Sequence, residues 1–430
     1  MNIVIVSYYF LWSSSVGSRR IGGLARALAA DGHSVTVIAS APPDGRRGFV
    51  PDGITVIETP HRDRILMARA ALSRLRHPMD SSRPSPDGPP TQQPASTRLP
   101  AARSTIKSEA RKWASFPDTM WEWSRAAQHA ARMQQPPDVV IASAPPMAGL
   151  QAAAKLASHW RCPWIADMRD LWTGDPNRGV PHALRRLDRR LERRVLSSAS
   201  AITTVAVALA AELGQTFEAT PITVLRNGFD PEWLRTDDHP PAADATIVYT
   251  GTLTSNTGRN IDELCRIATQ LLVVRRDGVS VPDIDVFGAV DPSVPRIIDE
   301  HDVGEIIRLR GVVDATRVRA AQHGAAALLN LSWENTNDAT NLPAKLFEYA
   351  AARRPVLHLG RVETLGTRLI RDHELGFVRD PADVASVVDL IIEIAAGGTG
   401  WTPARPDELE PLSQVTMIDG FRRVIESTVG

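Results

Sequence analysis

The chain has 430 residues, of which 43% are hydrophobic and 23% charged; this is an ordinary globular composition that excludes a collagen-like, fully disordered or multi-span membrane chain. At roughly 100 to 200 residues per domain, the length predicts two or three domains. Lys plus Arg and Asp plus Glu both total 49, so no net positive field draws in nucleic acid and any anion site has to be local.

Ile3 to Tyr8 is a short continuous apolar run, as in a strand buried on both faces. Arg19 to Ala30 then carries Ile21, Leu24, Ala25 and Leu28 at helical spacing, and Ser34 to Ser40 is strand-like again, which makes a βαβ unit. Gly17 and Ser18 stand at the N-terminus of that helix, where free backbone N–H groups can hold a phosphate. A dinucleotide fingerprint is disfavoured, because the glycines fall at 17, 22 and 23 and the second strand ends in Ala39 and Ser40 instead of an acidic residue. The N-terminus has no basic region of a signal peptide, no apolar run approaches the ~20 residues of a bilayer span, and Cys162 and Cys265 are too few for a disulfide scaffold or zinc ribbon. A cytoplasmic location is expected.

Residues 76–110 are rich in Pro, Ser and polar side chains and read as a disordered insertion. Order is expected to return with FPDTMWEWSRAAQHAA, then a strand at Val139 to Ala142, a helix from about Met147, a strand at Trp164 to Ala166, a basic helix from His182 to Leu196, and strands at Ala201 to Val205 and Ile222 to Leu225. Residues 227–243 are polar and proline-bearing, as in a linker. A second alternating series follows, with strands at Thr246 to Tyr249, Ile284 to Phe287, Ile306 to Leu309, Ala326 to Leu331 and Pro355 to Leu359, and a final helical pattern from Asp407 to Val429. Alternating β and α elements require parallel sheets covered on both faces. Two such domains put a cleft where their strand C-termini face each other.

The densest chemistry lies in NTNDATNLPAKLFEYAAARRPVLHL, residues 335–359. A polar loop enters a helix with Asn341 near the N-cap and Pro343 in the first turn, which puts Lys345 and Glu348 three residues apart on one face. Glu348 can only accept hydrogen bonds, and its two oxygens suit a vicinal diol such as a ribose, while the helix N-terminus favours a diphosphate. The plainer reading is a Glu stabilised by the helix dipole beside a solvated Lys. Against it, Lys occurs only at positions 107, 112, 155 and 345 in a chain that otherwise uses Arg.

The pattern P-x-K-x-F-E-Y-x-A-x-x-x-P-V-L, from Pro343 to Leu357, resembles the donor-site signature of retaining GT-B glycosyltransferases of family four. VGSRRIGGLARALAADGHSVTVIAS, PDVVIASAPP, ADMRDLW, LERRVLSSASAITTV, VLRNGFD and YTGTL match in the same order, so the resemblance covers nearly the whole chain apart from the insertion. It implies that Glu348 binds the donor ribose and that Gly17 faces the donor phosphates, with Ser18 beside it at the helix N-terminus as a further donor-binding candidate. The first glutamate of the family's E-x7-E motif would fall at Thr340 and is absent, so its role passes to the polar loop Asp338 to Asn341; Leu342, which follows, is a further donor-binding candidate. Where many members carry Arg and Lys after Gly251, this chain has Thr252 and Thr257; Arg259 and Lys345 are the substitutes. Phe287, Gly288 and the Arg310–Val312 stretch would line the base pocket, with plain strand ends as the other reading. The family's first-domain histidine would align with Arg169, flanked by Asp167 and Asp170. These three form either a catalytic group at a strand end or an Arg clamped between two carboxylates.

The helix HALRRLDRRLERRVL reads as a solvated basic face, with a contact to anionic lipid head groups as the sharper alternative. The reading is therefore α/β with GT-B architecture: two Rossmann-like parallel-sheet domains facing a cleft, a first domain at 1–226, the linker at 227–243, a donor domain at 244–404 and a helix at 405–430 crossing back. The expected activity is retaining, metal-independent transfer from a nucleotide diphosphate sugar to a sugar, polysaccharide or lipid-linked acceptor in cell-envelope synthesis, in the cytoplasm or at the inner membrane face. No cofactor and no nucleic-acid partner are expected. A nucleotide-sugar epimerase and a GT-B binding module without catalysis stay open as alternatives.

Overall fold

The computed structural model describes residues 1–10, 15–42, 50–60, 116–175, 179–237, 239, 241–242, 244–254, 261–332, 342–360 and 363–430. The expected disordered insertion, 76–110, lies outside them. The chain forms two compact units, Met1–Val224 with Arg422–Gly430, and Leu225–Phe421.

Unit 1 runs β1 (Asn2–Val6), α1 (Val16–Ala30), β2 (Ser34–Ser40), β3 (Ile54–Thr59), α2 (Trp121–Ala131), β4 (Val139–Ala144), α3 (Ala148–Trp160), β5 (Trp164–Met168), a 3-10 turn (His182–Leu184), α4 (Arg185–Leu196), β6 (Ala201–Thr204), α5 (Val207–Thr216) and β7 (Ile222–Val224). Its sheet is parallel with the order β3-β2-β1-β4-β5-β6-β7. The chain steps outward from β1 on one side and from β4 on the other, so the loops after these two strands diverge and open the sheet's C-terminal edge. Every residue of β4 is buried, Ser143 included, in keeping with its largely apolar sequence. Trp123, from the Trp-bearing stretch, is fully buried and its Nε1 donates to Thr59 Oγ1 at 2.6 Å, tying α2 to β3.

Unit 2 runs β7's successor turn (Pro231–Trp233), β8 (Ile247–Thr250), α6 (Ile261–Arg276), β9 (Ile284–Phe287), α7 (Ser293–Glu300), β10 (Ile307–Gly311), α8 (Ala315–Gly324), β11 (Ala327–Leu331), α9 (Lys345–Ala352), β12 (Val356–Leu359), α10 (Leu365–Asp372), β13 (Gly376–Arg379) and α11 (Val384–Ala395). Its parallel sheet has the order β10-β9-β8-β11-β12-β13, reversing between β8 and β11. The last helix, α12 (Gln414–Val429), begins in unit 2, and from Arg422 onward it belongs to unit 1, where Arg422 forms a two-pronged pair with Asp31 at 2.7 and 2.9 Å.

Two local differences from the sequence reading bear on the site. Helix α9 starts at Lys345 and not before Pro343; a tight turn precedes it, with Leu346 N–H donating to Pro343 O at 3.0 Å. Strands β3 and β13 carry no continuous apolar run, because each is a sheet edge whose residues are mostly half-buried. No described helix is long and apolar enough to cross a membrane.

Candidate functional site

In unit 1 the β4–β5–β6 register places Ser143, Asp167 and Thr203 side by side. Neighbouring strands lie about 4.8 Å apart, so both hydroxyls reach the carboxylate: Ser143 Oγ donates to Asp167 Oδ2 at 2.7 Å and Thr203 Oγ1 to Oδ1 at 2.8 Å. Arg20 completes the shell with Nε to Oδ2 at 3.0 Å and Nη2 to Oδ1 at 2.9 Å. Asp167 is 0% exposed and Arg20 4%. Burial alone would raise the Asp167 carboxyl's pKa, but the Arg20 charge and the four hydrogen bonds outweigh it and hold the carboxyl below its usual range. Asp167 therefore lies beneath the site as a structural anion, and the expected clamp of Arg169 between Asp167 and Asp170 is replaced by an Arg20–Asp167 pair.

Arg169 follows β5 and is half-buried. Its Nε donates to Ser143 Oγ at 3.1 Å and its Nη2 to Pro145 O at 2.6 Å. Ser143 thus relays the buried carboxylate to Arg169, giving its proton to Asp167 and its lone pair to the guanidinium. The guanidinium lies over Gly17: a Cβ at 17 would come within 2.5 Å of its Cζ, Nη1 and Nη2. Gly17 and Arg20 are three residues apart and share a face of α1, so one face of the first helical turns meets both Arg169 and Asp167. Burial lowers the Arg169 pKa, Arg20 pushes the same way, and Asp167 and Asp170 oppose them. An incoming anion would relieve this crowding of cations at a helix N-terminus. Ser18 plays another part than expected, since its amide donates to the N-cap Ser15 Oγ at 3.3 Å. Among the described residues the amides of Val16 and Gly17 have no hydrogen-bond partner. Asp170 is exposed and forms no hydrogen bond or ion pair with another described residue.

In unit 2 the corresponding reversal of strand order, between β8 and β11, is bridged by Tyr349 of α9. Its hydroxyl accepts from Thr250 N at 3.0 Å and donates to Leu329 O at 3.1 Å. Burial raises the phenol's pKa, which keeps it a neutral donor and acceptor. With Tyr349 fixed, Lys345 and Glu348 on the same helix come to the end of β8. Lys345 Nζ lies 3.8 Å from the Tyr249 ring centroid and would be 3.4 Å from a Cβ at Gly251. Glu348 Oε2 accepts from Gln322 Nε2 at 3.3 Å, and the same nitrogen is 3.2 Å from Thr250 Oγ1. Gly251 (φ 123°) and Gly288 (φ 136°) both occupy positive φ, and a Cβ at 288 would overlap the Gly251 backbone. The strand ends of β8 and β9 consequently approach at a distance open only to glycine, beside an ammonium and a carboxylate.

The other candidates are more scattered. Phe287 packs with Phe229, Val248 and Leu328 in a buried apolar cluster. Val312 is 79% exposed. Arg310 is taken up by Asp285, Nε to Oδ1 at 2.8 Å. Leu342 is half-buried against the same core as Phe287. Arg259, Asn341 and the rest of the loop from Asp338 lie outside the described residues. Arg20, Ser143 and Gln322 went unread in the sequence, although Arg20 carried a signal. It sits in the core-facing stripe with Gly17, Ile21, Leu24 and Leu28, where an arginine demands a buried carboxylate. Among the described residues no group of three or more His, Cys, Asp or Glu side chains could hold a metal ion.

Residues 17–228 match the Glycosyl transferase 4-like domain family. No curated protein matches the chain by sequence. Three solved structures share its fold over almost the full length of both chains. They are sucrose-phosphate synthase from Thermosynechococcus elongatus (TM-score 0.63, 12% identity, covering 99% of this chain and 98% of that one), WaaG, a glycosyltransferase involved in lipopolysaccharide biosynthesis (0.57, 12%, 100% and 100%), and Anabaena HepE in complex with UDP and glucose (0.57, 12%, 99% and 100%).

Proposed function

We propose that this chain is a GT-B glycosyltransferase of the family-four, group 1 type that moves a sugar with retention from a nucleotide diphosphate sugar to an acceptor taken by unit 1. The observation that carries the proposal is the convergence of Gly251, Lys345 and Glu348 where the strand order of unit 2 reverses. An acceptor-only carboxylate suits the two ribose hydroxyls, and an ammonium beside glycine-only backbone suits the diphosphate. HepE, of the same fold, binds UDP. The glycosyl transferase 4-like match on unit 1 favours transfer over epimerisation.

In this reading Glu348 orients the nucleoside through its ribose, steadied by Gln322, and Lys345 stabilises charge on the departing diphosphate. Arg169, with the free amides of α1, stabilises negative charge that develops beside unit 1. These cations supply the compensation for the leaving group, so turnover is expected to survive EDTA. Thermal melts of the full chain with UDP, GDP and TDP test the proposal: at least one should raise the melting temperature. No shift with any of them at about millimolar concentration, where even weak sites respond, sinks it.

A further inference from the structure

Unit 1 holds a second basic feature that the donor chemistry does not use. The chain leaving Asp170 and the start of α4 enclose a cavity of about 720 Å³, lined on one side by Thr173 and Asp175 and on the other by His182, Arg185, Arg186 and Arg189. All six arginines of α4 are exposed, and none of their side chains makes an ion pair or hydrogen bond with another described residue. A solvated helix normally mixes signs along its outer face. Here the two carboxylates turn inward: Asp188 Oδ1, which also borders the cavity, accepts from Trp172 Nε1 at 3.0 Å, and Glu192 accepts from Thr173 N at 3.3 Å. Both are buried, so the outer face is left with cations alone.

We propose that this cavity binds the phosphate-bearing part of the acceptor, a phosphate ester or pyrophosphate. Arg185, Arg186 and Arg189 lie within one turn of each other at the N-terminal end of α4, where planar guanidinium forks can grip phosphate oxygens in pairs and the helix dipole adds to the attraction. His182 adds a further donor. The lining includes two carboxylates, Asp175 and the inward-bonded Asp188, against three arginines. The cavity wall begins three residues after Asp170, so an anion held there keeps the rest of an acceptor close to the edge that carries Arg169 and Asp170. Calling the ligand an acceptor rests on the function proposed above; the anion site itself does not.

The test is calorimetric titration of the full chain with inorganic pyrophosphate, with UDP present to fill the nucleotide site. Substituting Arg185→Gln, Arg186→Gln and Arg189→Gln together should weaken pyrophosphate binding by at least about tenfold, the scale of losing charge-assisted bonds. The triple Arg190→Gln, Arg193→Gln, Arg194→Gln removes equal charge from the same helix outside the cavity and should change it by less than about threefold, the long-range share alone. Equal losses in both triples, or no pyrophosphate binding by the wild type, overturns the site. Binding to phosphatidylglycerol vesicles, absent with phosphatidylcholine and without any response to pyrophosphate, overturns it in favour of a membrane face. UDP melts on the same samples separate the two proposals: a UDP shift without a pyrophosphate response removes the cavity site alone. Pyrophosphate binding that discriminates the triples without a UDP shift upholds the site and removes the donor reading.

Discussion

Both units place their candidate groups where the strand order reverses, yet they fix them by different physics. Unit 1 uses a buried ion pair: Asp167 collects Arg20, Ser143 and Thr203 and through Ser143 holds Arg169. Unit 2 uses neutral groups: the Tyr349 hydroxyl splices β8 to β11, and glycines at 251 and 288 bring backbone to backbone. A buried charge is costly to strip of its partner, whereas a hydroxyl or a glycine fails through local geometry. The same class of substitution should therefore break folding in one unit and ligand binding in the other.

The largest effect is expected at Asp167. Asp167→Ala breaks the buried pair that Arg20 makes through two hydrogen bonds, which costs about 3 to 5 kcal/mol, and the melting temperature should fall by many degrees. The acid limb sharpens the point. Because the folded pKa of Asp167 is depressed, the stability it contributes is present above the unfolded value near 4 and is lost as pH falls through the lower folded value. Denaturant titrations between pH 5 and 2 should show that loss in the wild type and a smaller one in Asp167→Asn. Parallel acid limbs in the two proteins would place the charge coupling elsewhere.

Next comes Gly288→Ala. An alanine there needs a φ near 136° and overlaps the Gly251 backbone, so the penalty is about 1 to 3 kcal/mol from backbone strain before any displacement. Nucleotide binding should drop with it, because the β8 end moves. An alanine variant that melts and binds UDP like the wild type would show that the approach of the two strand ends is incidental.

Glu348→Ala should act on binding alone. One or two hydrogen bonds to a charged acceptor are worth about 1.5 to 3 kcal/mol each, or roughly tenfold to several hundredfold in donor affinity. Stability should barely move, since Glu348 is half-buried. Unchanged UDP affinity by calorimetry would put the ribose elsewhere.

How much of this could be read from sequence follows the same division. The central strands announce themselves because both faces are buried and almost every residue is apolar, as in β4 (VVIASA, Ser143 excepted), whereas the edge strands β3 and β13 do not. The FEY stretch of α9 gave Lys345 and Glu348 correctly as a pair on one helix face, because helical spacing is local. The partner of Asp167 could not be found in this way. Arg169 stands two residues away in sequence, while Arg20 stands 147 away and reaches the carboxylate only because α1 packs across the sheet. Phe287 was left open between base pocket and plain strand end for a related reason: a residue at a strand end can turn into the core or out of it, and sequence does not say which.

The finest probe of unit 1 is Gly17, where two opposing contributions nearly cancel in stability. Position 17 is helical, so alanine should gain up to about 1 kcal/mol of helix propensity. Against that, its Cβ would lie 2.5 Å from the Arg169 guanidinium, which has to swing away and give up its bonds to Ser143 and Pro145. Such bonds are worth about 1.5 to 3 kcal/mol when one partner is charged, though a half-buried guanidinium regains part of that from water. Gly17→Ala should then be destabilised by only about 1 kcal/mol net of these opposing contributions, while kcat falls to the level of Arg169→Ala, at least about tenfold below wild type if Arg169 stabilises developing charge. The background decides the sign. In Arg169→Ala the obstacle is gone, so adding Gly17→Ala should leave kcat where it is and raise stability, a coupling that a double-mutant cycle measures directly. If Gly17→Ala instead destabilises both backgrounds equally, the glycine is needed for something other than the passage of Arg169, and the placement of that guanidinium over α1 does not matter to the reaction.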